Sequence, residues 1–366
     1  MDRSHDVIVI GAGIIGCAVG RELARRGAKV RIFEARTVGA GATRASAGVL
    51  APYIEAHERE ALLALTVRSL GLYDAFVRDA VEESGIAIEY RRCGTLEIAT
   101  DAASRERLKA SAAHHGAGTM QWLDSASARR REPVLPESIE GALHVPQHGY
   151  VVVPALTDAL VWAALRHGAQ LEAAHRVTGV RSEDSVFSVL TEDGTVWRAE
   201  QVVLAAGSWS GLLDIEDAPR AAVRPIRGQL LHLRWDGTPP AHIIWGPDCY
   251  VVPWENGTVL VGATVEDVGF DERATADGVH RLLTAVCRLL PDASRASFIE
   301  VRAGLRPATA DGLPFIGRSP RRPNLVYATG HFRNGILLAP LTALFVGDLV
   351  IDRKEDPMLA TVRPGR

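Results

Sequence analysis

Apolar positions along this chain change their period several times, and each change marks an element. Val7 to Ile10 is an unbroken β-branched run, the pattern of a short parallel strand buried on both faces. Glycines interrupt it, and a helical pattern follows from about Ile14 to Arg26. A second strand pattern, Val30 to Phe33, then ends on Glu34. Leu62, Leu65, Leu72, Phe76 and Ala80 share one face of a long amphipathic helix spanning Glu58 to Ala80. Gly94 to Thr100 reads as a strand, Asp101 to His115 as a polar helix, and Glu132 to Pro136, with two prolines, as a connection.

The middle of the chain is richer in strands. A helix from Pro154 to His167, started by proline and stopped by Gly168, precedes strands at Ala169–Ala174, Val177–Ser182, Val186–Thr191 and Val196–Ala199. Glu192-Asp193-Gly194 makes the last two a hairpin. Gln201 to Ala205 is a further apolar strand running into Ala206-Gly207. Residues 223–265 are strand-rich, with a hairpin at Glu255-Asn256-Gly257. Thr275 to Leu290 is helical up to Pro291, and strands follow at Phe298–Ala303 and Leu325–Ala328. Ile336 to Ile351 is strongly apolar but contains Pro340 and Asp348, and it is short for a membrane span, so it reads as a buried helix.

Parallel-type strands at the start, middle and end, with antiparallel-type strands between, predict an α/β fold of interleaved segments. The expected division puts residues 1–83, 146–215 and 301–366 in a nucleotide-binding domain. Residues 84–145 and 216–300 then form a smaller α+β substrate domain with a mostly antiparallel sheet.

The glycines of the first turn carry the earliest chemistry. Gly11 permits a tight turn, Gly13 a close approach by a pyrophosphate, and Gly16 close packing of helix on strand. The positive helix N-terminus favours that anion. Glu34 follows Gly16 by eighteen residues, near the ~20 expected of an acid that binds ribose hydroxyls. Its charge would repel a 2′-phosphate. The loop Thr37 to Gly48 is rich in small residues, suiting either close contact with a ligand or a plain connection.

Composition narrows the partners. The 366 residues, 47% hydrophobic and 23% charged, are ordinary for a soluble protein long enough for about two domains. A net charge of −3 gives no basic footprint for nucleic acid. Cys17, Cys93, Cys249 and Cys287 form no CxxC pair, which fits a reduced protein without a metal cluster. The N-terminal apolar run is broken by fingerprint glycines and preceded by two acids and Arg3, so no targeting segment is expected, and no membrane. The expected location is the cytoplasm.

Five motifs fall in an order that resembles the D-amino-acid oxidase family of flavoenzymes, essentially end to end. They are the N-terminal fingerprint, Arg44-Ala-Ser-Ala-Gly48, Val203-Leu-Ala-Ala-Gly207, the stretch Gly304 to Gly317 around Arg306, and Gly330-His-Phe-Arg-Asn-Gly335 through Pro340. Within the family the chain is most similar to the branch that oxidises glycine and serves thiamine-thiazole synthesis. It departs at Trp254, where relatives often carry a basic residue, and at Val49, where many carry Met.

The resemblance implies a Rossmann-like, glutathione-reductase-like domain holding non-covalent FAD. It implies oxidation of a small amino acid by oxygen, a homo-oligomer such as a tetramer, and a link to thiazole synthase. Its cofactor contacts are Gly11, Gly13, Ile14, Ile15, Gly16, Glu34, Ala35, Arg44, Ala45, Ser46, Ala47, Gly48, Val177, Ala206 and Gly207. With them go Arg306 and the loop His331, Phe332, Arg333, Asn334, Gly335 and Ile336. Amides of that loop, with the N-terminus of its helix, would face the flavin N1 and O2 edge.

Arg306 is the expected substrate anchor, because a planar guanidinium takes a carboxylate through two parallel bonds. Tyr250 and Arg333 are the further substrate contacts. No residue is assigned as acid or base: hydride loss to flavin N5 needs only a neutral amine, and His331 is read as structural. Cys249 reads as an apolar filler. Two other classes remain open at this point: a dehydrogenase acting on a D-amino acid, sarcosine or hydroxy acid with a non-oxygen acceptor, and a non-catalytic nucleotide-binding protein. An NAD-dependent dehydrogenase ranks below both.

Overall fold

A computed structural model describes residues 4–55, 60–116, 118–183 and 186–366. Its centre is the strand Ser4–Ile10, paired in parallel with Val30–Glu34 on one side and Val196–Leu204 on the other. Gln170–Ala173 extends the sheet beyond Val30–Glu34, and Leu325–Thr329 runs parallel to Val196–Leu204. The antiparallel strands Val177–Glu183 and Val186–Thr191 complete that side, the second of them pairing with the first half of Val196–Leu204. Together these strands belong to a nine-stranded sheet among the described residues.

Two strands expected at Val196–Ala199 and Gln201–Ala205 are one strand, Val196–Leu204. Glu200, which interrupts the apolar pattern, is merely an exposed position, and pairing with Ser4–Ile10 continues across it. The helices Ile14–Arg25, Glu60–Ser84, Val153–Arg166 and Gly335–Gly347 pack together on one face of this sheet. The long amphipathic helix runs to Ser84, four residues past its expected end, while its expected start at Glu58 lies outside the described residues.

The apolar C-terminal helix is long enough after all. Phe332–Asp352 has the length and hydropathy of a membrane span, yet 78% of its apolar window is buried inside the protein. Burial rather than shortness accounts for its composition. The single Pro340 is tolerated within it, because a missing amide in a fully packed helix is a local cost.

A second sheet of eight strands is built on the long antiparallel pair Arg224–Arg234 and Ser297–Ala308, with Thr258–Gly262, Tyr250–Pro253 and Ile243–Trp245 beyond it. Thr95–Ala99, Gly141–Val145 and Gln121–Asp124 finish the order. The helix Ala276–Leu289, capped by the Thr275 hydroxyl on the Gly278 amide at 3.2 Å, buries Leu282, Val286 and Leu289 against this sheet. The strand expected at Phe298–Ala303 therefore extends to Ala308. A division at residue 301 cuts through it, and Arg306 belongs to the second sheet, where it lies opposite Ile226.

One ion pair ties the helix behind the fingerprint to the long helix. Arg21, 3% exposed, reaches Glu83 through two bonds at 2.6 and 2.5 Å. Burial alone would raise the Glu83 carboxyl; the Arg21 fork, with His167 at 3.2 Å, more than offsets this and holds it below the usual carboxylate range. Its folded pKa is thus depressed, so the stabilisation is present above the unfolded pKa of about 4.3 and fades as pH falls. Replacing Arg21 by Met should cost about 3 kcal/mol at neutral pH. Urea titrations should show the gap to the parent narrowing as pH falls below about 4; a gap independent of pH would remove the pair from the account.

Candidate active site

A cavity of about 550 Å³ runs from Glu34 and Val177 to Arg306 and Tyr250, within the usual size of a small-molecule or cofactor site. Its first wall is the glycine turn. Gly11 has φ +106°, and a Cβ there would lie 2.5 Å from the Ala205 carbonyl. A Cβ on Gly16 would lie 1.8 Å from the Gly11 carbonyl, so the helix sits directly on the strand end. Gly13 differs: its Cβ would meet only the Thr43 hydroxyl, at 3.2 Å, and the rest of its face opens on the cavity.

The helix Ile14–Arg25 starts without a side-chain cap of its own. Thr43, from the small-residue loop, accepts the Ile14 amide at 3.0 Å, and the loop is pinned by the Gly39 amide on the Ala12 carbonyl at 2.9 Å. Gly13 and Ile15 remain on the cavity wall, where the positive helix end suits an anion. The Glu34 carboxylate is held at 2.9 Å by the amides of Ala12 and Arg36, so it faces the cavity as a fixed acceptor with lone pairs left over.

A second helix end opens into the same space. Gly330 has φ +79° and Phe332, unusually for a side chain, φ +49°, a local cost of the kind that accumulates at functional sites. The turn leads into the helix Gly335–Gly347, whose start at Asn334 also lacks a side-chain cap. His331 lies beneath it, fully buried and bonded to the Thr342 hydroxyl at 3.0 Å; burial pushes its pKa down to about 3. Its ring is tied to the helix behind it and is held in the neutral form by burial. The residues present fit a dinucleotide cofactor: two helix N-termini and an anchored acid face one elongated cavity.

At the far end Arg306 is half-buried, and burial lowers its pKa, with no acid at bonding distance among the described residues. Nη1 donates to the Thr264 carbonyl at 2.9 Å and more distantly to that of Arg227, leaving the rest of the fork to the cavity. The guanidinium lies flat on Gly228 of the neighbouring strand, where a Cβ would come within 2.1 Å of it. Tyr250 is treated the same way by Gly262, whose Cβ would meet the phenol at 2.5 Å, and its ring stacks on Trp245 at 4.9 Å. Burial raises the Tyr250 pKa, which keeps its hydroxyl a donor. Arg333 stands nearby, paired with Glu55 at 2.8 Å.

Of the expected site residues, Gly11, Gly13, Ile14, Ile15, Glu34, Ala35, Ala45, Ser46, Ala47, Val177, Ala206, Gly207, Tyr250, Arg306 and His331 through Ile336 all line this cavity. Three do not. Gly16 acts through helix–strand contact. Gly48, with φ +71°, abuts the Val151 carbonyl, where a Cβ would lie at 1.9 Å. Arg44 is exposed, its amide serving the loop through Gly39. Among the departures, Val49 is on the cavity wall, but Trp254 packs on His232 at 5.0 Å and is no part of it. Cys249 is buried in the core of the second sheet and its thiol is pushed up to about 12.

Sequence reasoning missed Thr43, Glu55, Gly228, Gly262, Arg36, Trp209 and Glu272. Only Thr43, within a loop already flagged as small and close, carried a local signal. The others are visible only once strands and connections distant in the chain are brought together.

Comparison with known proteins agrees with this architecture. The FAD-dependent oxidoreductase (DAO) family profile matches residues 6–349. The chain is 38% identical to glycine oxidase of Geobacillus kaustophilus, covering 97% of this chain and 95% of that protein. It is 36% identical to the bifunctional protein ThiO/ThiG of Nostoc, covering 98% of this chain and 54% of that one. The crystal structure of the Geobacillus glycine oxidase superposes with a TM-score of 0.94 at 36% identity, covering 100% of this chain and 99% of that chain. An unbroken family match, overlaid on a cavity with the two helix ends and the anchored acid of a dinucleotide site, establishes that this chain belongs to the DAO family of FAD-dependent oxidoreductases.

Proposed function

We propose that this protein is an FAD-dependent oxidase of glycine, acting also on sarcosine or small D-amino acids. The observation that carries the reading is the buried Arg306 fork, with no carboxylate bonded to it among the described residues, beside the Tyr250 hydroxyl. What FAD contributes when bound is an acceptor for the hydride that leaves the amine-bearing carbon, and a route for the electron pair to oxygen as hydrogen peroxide. The remaining imine hydrolyses to glyoxylate and ammonia, or is passed on for thiazole synthesis.

The chain's own residues bind and orient. Arg306 takes the substrate carboxylate in parallel hydrogen bonds, strong because the site is dry. Tyr250 donates a further bond to the same carboxylate. Together they fix the direction of the α-carbon, which is where most of the rate advantage of an enzyme without an acid–base pair must come from. The amide ends at Gly335 aim positive charge at the cofactor edge they face. His331 stays uncharged and moves no proton, so the amine must arrive neutral.

In this reading the first sheet handles the cofactor and the second the substrate. The protein works in the cytoplasm as a homo-oligomer, and the link to a thiazole synthase is supported by the relatives that are bifunctional ThiO/ThiG proteins.

Arg306→Ala should raise KM for glycine about 100-fold, the loss of a buried charge-assisted pair of bonds worth about 3 kcal/mol. The visible flavin spectrum should be kept, and Arg306→Lys should recover only part of the loss. An unchanged KM would displace Arg306 from the role. Anaerobic mixing with glycine should bleach the flavin band, and admitting air should restore it with release of peroxide. Bleaching that air does not reverse would point to a dehydrogenase. Finally, kcat/KM should rise with pH as the substrate amine deprotonates, and His331→Gln should leave that limb where it is; a displaced limb would make the ring a base.

A further inference from the structure

The connection from Ala263 to Thr275 joins the strand Thr258–Gly262 to the helix Ala276–Leu289; it lines the cavity at Glu272 and bonds the cavity residue Arg306 near its start. At its root the Thr264 carbonyl accepts Arg306 at 2.9 Å. Next, Glu266 pairs with Arg227 through both backbone bonds, at 2.9 and 3.0 Å, and through its carboxylate. The same buried Arg227 lies 3.0 Å from Asp271 and bonds the Arg273 carbonyl. At the tip, Glu272 leaves its own sheet and meets Arg36 at 2.9 Å, across 236 residues of chain. Arg36 follows Glu34 by two residues and lies 4.7 Å over the Trp209 ring, on which Phe270 of the connection also packs, at 5.9 Å.

Arg36, Trp209 and Glu272 are all cavity wall, so this contact closes the site rather than decorating the surface. The outer face of the connection is largely exposed: Val265 and Val268 are 54% and 40% exposed, and Phe270, although it meets Trp209, is 43% exposed. The segment is therefore held by ion pairs at its root and by Glu272 and Phe270 at its tip, with little core burial to fix it. Such a segment can part from the wall without disturbing either sheet.

We propose that residues 263–275 form a strap that retains the cofactor, with Glu272 as a positioning residue that acts through Arg36. Releasing the cofactor requires the Glu272–Arg36 pair to open, and the pair holds Arg36 beside the acid that binds the ribose. The inference rests on the FAD site described above. Both partners of the pair are about one-third exposed, so its contribution is modest and sensitive to salt.

The test is the rate at which the purified holoprotein releases FAD, followed by the rise in free-flavin fluorescence after dilution. Glu272→Gln should release FAD about three- to fivefold faster at low salt, with the thermal midpoint of the apoprotein unchanged. The difference from the parent should close as NaCl is raised to about 0.5 M. Arg36→Met should accelerate release further, because the ring contact is lost as well, and adding Glu272→Gln to it should change nothing more. Release from Glu272→Gln at the parent rate, or effects of the two substitutions that multiply independently, would overturn the strap while leaving the FAD site intact. A protein that binds no FAD would overturn both.

Discussion

The contact between Gly16 and the Gly11 carbonyl, where a Cβ would lie at 1.8 Å, sets the geometry of the whole cofactor site. It seats the first helix on the end of the central strand, and so fixes where that helix points. The helix then determines the position of its N-terminal amides, and the small-residue loop is pinned to it through Thr43 and Gly39. Any side chain at Gly16 must lift the helix from the strand, because the obstacle is backbone and cannot rotate away. The 22-residue reach from Ala12 to the Glu34 carboxylate is closed by the same turn.

The substrate end follows a second version of the same rule. A guanidinium and a phenol can lie against a sheet only where neighbouring strands offer no side chain, and Gly228 and Gly262 are those places. The pairing register explains why: Gly228 stands opposite Gly304 on the strand that carries Arg306, and Gly262 opposite Tyr250. The price is a glycine inside one strand and another at the end of its neighbour, the first unfavourable by itself. Strong pairing on both sides of Arg224–Arg234 offsets that cost.

These two rules also separate what was legible in the sequence from what was not. The glycine turn and its acid are local: all their residues fall within thirty, in an order that a strand, a helix and a second strand impose. The long apolar helices and the hairpins at Gly194 and Gly257 were legible for the same reason. Gly228 was not, because nothing near it in sequence tells a strand glycine beneath a guanidinium from an ordinary weak point. Glu272 and Arg36, 236 residues apart, were beyond any local pattern. The strand expected to end at Ala303 continues through Gly304-Leu-Arg-Pro, where pairing with Arg224–Arg234, distant in the chain, keeps it extended. Arg44, within one of the motifs, has its side chain exposed and lies outside the cavity lining; its amide donates to the Gly39 carbonyl of the same loop.

The charges along the cavity form a sequence that orients whatever enters. A carboxylate stands at one end, a helix N-terminus beside it, a second helix N-terminus farther on, and a buried guanidinium at the other end. A carboxylate such as Glu34 disfavours phosphate and can accept hydroxyls, while the positive end of the first helix favours an anion. Among the described arginines of the cavity wall, Arg333 is matched by Glu55, Arg36 by Glu272 and Arg176 by Glu192, whereas the bonds of Arg306 go to the Arg227 and Thr264 carbonyls. In the proposed reading, matching those arginines is part of the selectivity, because it leaves the Arg306 fork to the substrate carboxylate on the second sheet.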